Sequence, residues 1–106
     1  SNSMPPGGFN YCEKITAPPA PVDLLTATVS GTTVALTWVD QSTNETGFRV
    51  ERKTASGNWA SIATPAAGAT SYSDTGRTAG TYFYRVFAVN SNGDSISSSE
   101  VQAVVQ

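Results

Sequence analysis

From Val22 onward, apolar and polar residues alternate in short runs, and each run ends in a cluster of Gly, Asn, Ser or Asp. Alternation with a period of two marks strands that bury one face. "LLTATV" (24–29) places Leu25, Ala27 and Val29 on one side, and "TVALTWV" (33–39) does the same with Val34, Leu36 and Trp38. "FRVERK" (48–53) turns Phe48 and Val50 inward and Arg49, Glu51 and Lys53 outward. "WASIA" (59–63), with Ile62 inward, and a short strand around Tyr72 in "TSYSDTG" (70–76) follow. "TYFYRVFAVN" (81–90) and "EVQAVVQ" (100–106) complete the series, with "SNGD" (91–94) read as the loop between them. β-branched and Ser/Thr residues dominate, and no stretch holds a 3.6-residue stripe, so helix is disfavoured. Short strands with turn signals every eight to twelve residues predict an all-β sandwich of seven antiparallel strands.

The richest run, 81–90, splits into two faces. Tyr82, Tyr84, Val86 and Ala88 share one, and Phe83, Arg85, Phe87 and Val89 share the other. The first set tapers from large to small, as it must to meet the side chains of a second sheet, and Trp38 is its expected partner across the seam. The predicted core is therefore built on Trp38, Tyr72, Tyr82, Tyr84 and Val86. The second set faces solvent on this reading, and forms a patch able to cover a neighbouring domain or the N-terminal tail.

Residues 1–20 read differently. Five of the six prolines fall within the first twenty-one residues (Pro5, Pro6, Pro18, Pro19, Pro21), and no period persists there. This is the composition of a linker with polyproline-like stretches. It leaves one domain over 21–106, with Phe9, Tyr11 and Ile15 expected to dock on an edge strand of this domain or of a second copy.

Charge narrows the function classes. Six basic residues against eight acidic give a net charge of −2, so no basic surface for nucleic acid is expected. No apolar run is long enough to cross a membrane as a helix, and no polybasic segment suits a lipid surface. Histidine is absent, which rules out Ser-His-Asp and Cys-His chemistry. The single cysteine, Cys12, lies in the proline-rich tail with no base beside it and reads as an exposed thiol. The carboxylates are scattered, so no catalytic pair, metal site or cofactor is expected. Asp40, Asn44 and Glu45 crowd one loop with hard oxygen ligands, but an Asx-rich turn accounts for them. An exposed Trp59, together with Phe83 and Phe87 and with Arg85 between those two, is the one group able to stack on a sugar ring.

In order and spacing these segments resemble the fibronectin type III family. The resemblance rests on Pro21 with Leu25 and Ala27, on "VALTW" ending at Trp38, on "ETGFRVERK", on "TSYSDTG", on the Tyr82–Asn90 run, and on "SNGDSISSSEV". "DQSTNETGFRVERK" is most similar to copies found in secreted bacterial enzymes and surface proteins. The resemblance implies an immunoglobulin-like sandwich of sheets A-B-E and C-C′-F-G without a disulfide, with Tyr82 as a tyrosine corner bonded to backbone upstream. Two departures stand out: Arg77 lies where the family has a leucine, and the "TAGT" turn (78–81) is one residue short. The expected role is a non-catalytic spacer or interaction module, extracellular or at the cell surface, beside a hydrolase or adhesin domain of the same chain. The alternatives are a polysaccharide-binding module using Trp59, Phe83 and Phe87, and self-association through the tail or an edge strand.

Overall fold

The computed structural model describes residues 17–106. Among the described residues every helix or strand element is a strand. In chain order these are β1 (Asp23–Ser30), β2 (Thr33–Val39), β3 (Gly47–Thr54), β4 (Ala60–Ala63), β5 (Ser71–Asp74), β6 (Gly80–Asn90), β7 (Gly93–Asp94) and β8 (Val101–Val105). They form two antiparallel sheets. One runs β1-β2-β5 and the other β4-β3-β6-β7, with β8 also paired to β6. This is the A-B-E and C′-C-F-G arrangement anticipated from the sequence.

There are eight strands and not seven because the last one is split. β7 pairs the end of β6, Asn90 with Gly93 and Val89 with Asp94, while β8 pairs its beginning from Gly80 to Tyr84. The expected 91–94 loop is thus only a turn at Ser91 and Asn92. Asn90 Oδ1 accepts from the Asn92 amide at 2.8 Å, and Gly93 takes a φ of +133° that disfavours any side chain. Between β7 and β8 the chain leaves the ladder, and two serines keep it attached. The Ser95 amide donates to Ala88 O and its Oγ accepts from the Ala88 amide; Ser98 does the same with Val86. Each hydroxyl stands in for the carbonyl that a regular strand would supply.

The core lies between the sheets. β2 contributes Val34, Leu36 and Trp38, β3 contributes Phe48 and Val50, and β6 contributes Tyr82, Tyr84, Val86 and Ala88. Val22, Leu25, Ala103 and Val105 close its margins, and Tyr72 packs against it half-buried. The Trp38 and Phe48 rings meet at 5.7 Å between centroids, tilted by 56°. Such a ring pair adds about 0.5–1.5 kcal/mol beyond the area it buries. β1 departs from the expected burial. Val29 shares the inward face with its partner Val34 but is 36% exposed, because β1 is an edge strand and Val29 sits at the rim. The register shifts between Asp23 and Thr26, where Leu24 has a φ of +53° and lies 69% exposed.

Candidate functional site

The outer face of the larger sheet gathers all four residues singled out as ligand contacts, and it does so through register. β3 and β6 place Lys53 opposite Phe83, Glu51 opposite Arg85 and Arg49 opposite Phe87. Residues opposite one another on a strand pair share a face, so these side chains form two adjoining columns. Trp59, just ahead of β4, leans over them. The Arg85 guanidinium lies 4.2 Å from the Trp59 centroid and 5.0 Å from that of Phe87. Arg49 sits 4.4 Å from the Phe87 centroid. The Lys53 ammonium is 5.6 Å from Trp59 and 5.9 Å from Phe83. All are within cation–π range.

The rings expected to face solvent are therefore half-covered by cationic heads. Alternation alone puts Arg49, Lys53 and Arg85 outward; the structure makes them the lids of the aromatic patch. A line of ion pairs runs beneath. Glu51 Oε1 accepts from Arg85 at 2.7 and 2.8 Å, and Oε2 from Arg49 at 2.9 Å. Arg49 reaches on to Asp94 at 2.8 Å. Burial works against the charge on Glu51, but the hydrogen bonds from Arg49 and Arg85 outweigh it and hold its pKa below the ordinary 4.5. A shallow groove of about 440 Å³ flanks Arg49 and Asp94, walled by Phe48, Val89 and Pro65. Among the described residues, what this face presents is charge and ring surface held together by ion pairs.

A second polar group lies inside the sandwich. Asp74, the last residue of β5, is buried. It accepts from the Tyr84 hydroxyl at 2.6 Å and from Arg52 Nη1 at 2.8 and 3.1 Å, with Arg77 Nε 3.5 Å away. Burial first, and the Asp74 carboxylate second, push the Tyr84 phenol well above its ordinary pKa of 10. Arg77 also lays its guanidinium 5.9 Å from the Tyr82 ring centroid. The Tyr82 hydroxyl donates to Thr78 O at 2.7 Å, closing the corner four residues upstream despite the short turn.

The acidic loop between β2 and β3 is closed by Ser42 from within and by Gly68 from the β4–β5 connection. Asp40 accepts from the Ser42 amide at 3.0 Å, and Glu45 accepts from Ser42 Oγ at 2.8 Å and from the Gly68 amide at 3.1 Å. No group of three or more metal-ligating side chains occurs among the described residues. Asn44 turns away from these carboxylates and binds the carbonyl of Ala17, as does Asn90. Cys12, Phe9, Tyr11 and Ile15 lie outside the described residues.

No family model matches the sequence, and no curated protein does. Solved structures do. A segment of a β-1,2-glucanase from Parabacteroides distasonis is 22% identical with a TM-score of 0.72, covering 87% of this chain and 13% of that one. The titin kinase with its flanking domains is 24% identical with a TM-score of 0.72, covering 84% of this chain and 17% of that one. The chain thus spans less than a fifth of either, and both likenesses speak for the fold alone. An Fn3-like protein from Clostridium thermocellum is 33% identical with a TM-score of 0.65, covering 85% of this chain and 94% of that chain. With the two sheets, the tyrosine corner and that near-complete overlap in place, the chain belongs to the fibronectin type III family.

Proposed function

We propose that this chain is a non-catalytic module of a larger secreted or cell-surface protein, where it spaces and orients a neighbouring hydrolase or adhesin domain. One observation carries the reading: the same fold recurs as a small part of much longer chains, including a glucanase and a kinase with flanking domains. The side chains agree with it. The carboxylates at Asp40, Glu45, Glu51, Asp74 and Asp94 are each engaged by donors of the chain itself, and serve structure. The test is made in the parent polypeptide. Replacing residues 17–106 with a flexible linker of equal span should leave turnover of a small soluble substrate unchanged and reduce action on an insoluble or surface-bound one. Loss of soluble turnover would place this module in the catalytic machinery and end the spacer reading.

The polysaccharide reading is the weaker one. A sugar platform needs open ring faces, and here Arg85, Lys53 and Arg49 lie over Trp59, Phe83 and Phe87. Retention on insoluble cellulose, chitin or xylan, abolished by Trp59→Ala, would reverse that ranking.

A further inference from the structure

We infer that Asn90 and Asn44 clamp the incoming chain at Ala17 and so fix the direction from which any preceding polypeptide meets this module. The inference deepens the spacer reading and rests on it for its biological meaning, though not for its geometry. Asn90 Nδ2 donates to Ala17 O at 3.0 Å and to Asn44 O at 3.2 Å, while its Oδ1 accepts from the Asn92 amide at 2.8 Å. Its amide group is thus engaged at both ends. Asn44 Nδ2 adds a second donor to Ala17 O at 3.3 Å. One carbonyl of the lead-in chain is therefore tied both to the loop joining β2 to β3, through Asn44, and to the last residue of β6, Asn90.

The neighbouring residues make this hold directional. Pro18, Pro19 and Pro21 lock φ near −65°, and the residue before each proline is confined to extended conformations. Pro19 and Val22 are buried. Pro18 packs beside Gly93, with its Cγ 3.7 Å from where a Cβ at that position would stand. The segment 17–22 is a stiff rod with two apolar plugs and a doubly held carbonyl. A flexible tether would give a spacer reach without orientation; this lead-in supplies orientation.

Backbone ¹⁵N relaxation on the full 106-residue chain tests the clamp, with Ala17 and Ala20 as reporters. Both amides should show heteronuclear NOE values equal to those of β2. Asn90→Asp keeps the size of the side chain but turns a carboxylate toward two carbonyls. It should lower the Ala17 and Ala20 values sharply while β2 stays rigid, and Asn44→Ala, which removes one donor of two, should lower them less. Ala17 already mobile in the parent chain, or unaffected by either substitution, would overturn the clamp. That outcome would leave the spacer reading standing, since linker replacement in the parent protein tests it separately.

Discussion

At Asp74 one buried carboxylate holds two arginines and a tyrosine from three different parts of the chain. Burying a charge is costly unless it is paired and fully hydrogen-bonded, and here Tyr84 and Arg52 supply the bonds. Tyr84→Phe removes one charge-assisted bond without changing the packing of the ring. It should lower stability to urea unfolding by about 1–3 kcal/mol. Asp74→Asn takes away the charge that Arg52 and Arg77 face, and should cost more. Arg52 keeps 24% of its side chain in water, so the loss should be about 3 kcal/mol, the low end for a broken buried pair. The two changes share a partner, so the double substitution should cost less than their sum. Equal stability of Tyr84→Phe and the parent would show that the phenol contributes packing alone. None of this was legible beforehand. Asp74 reads in the sequence as one of several scattered carboxylates, because its burial depends on where β5 ends relative to Arg52 on the facing sheet.

The strands themselves were legible wherever alternation met large side chains. In β6 the period of two separated Tyr82, Tyr84, Val86 and Ala88 from Phe83, Arg85 and Phe87 without any knowledge of neighbours. The split of the final strand was not legible. "DSISSSE" carries no apolar alternation, and the pairing of Ser95 and Ser98 with β6 is a matter of hydroxyl geometry. Those hydroxyls should matter in proportion to the buried amides they satisfy. Ser95→Ala and Ser98→Ala should each cost about 1–3 kcal/mol and speed hydrogen exchange at Ala88 and Val86 respectively. Unchanged exchange at those two amides would mean that another acceptor replaces the hydroxyl.

The outer columns of β3 and β6 give a pH prediction of the same scale. The folded pKa of Glu51 is depressed, so the stabilisation from its ionised form is present in full above the ordinary value of 4.5 and is lost as pH falls through the lower folded value. Glu51→Gln removes that contribution. The stability gap between parent and variant should be constant from neutral pH to about pH 5 and should close as acidity increases below that. A gap independent of pH would show that Arg49 and Arg85 do not hold the carboxylate. Sequence alternation put Arg49, Glu51, Lys53, Phe83, Arg85 and Phe87 outward. Their interleaving into capped rings required the cross-strand register, which loop lengths alone do not set.

Over the whole molecule, both sheets feed a single core, so unfolding should be one cooperative transition. The extent of that cooperative unit is the sharper question, because a spacer that orients its neighbour must include the segment leading into it. β1 begins at Asp23, yet Pro19 and Val22 are buried ahead of it and Ala17 is bonded to the β2–β3 loop and to the end of β6. If those anchors belong to the folded unit, a chain of residues 17–106 should be more stable than one of residues 22–106. Burial of one proline ring and loss of a doubly held carbonyl set the difference at about 1–2 kcal/mol. Urea unfolding of the two chains measures it. The slope of the transition should also be slightly smaller for the shorter chain, since less surface is exposed on unfolding. Identical midpoints would place the start of the module at β1. The proline segment would then be a covering laid on the loops after folding, unable to transmit an orientation from one domain to the next.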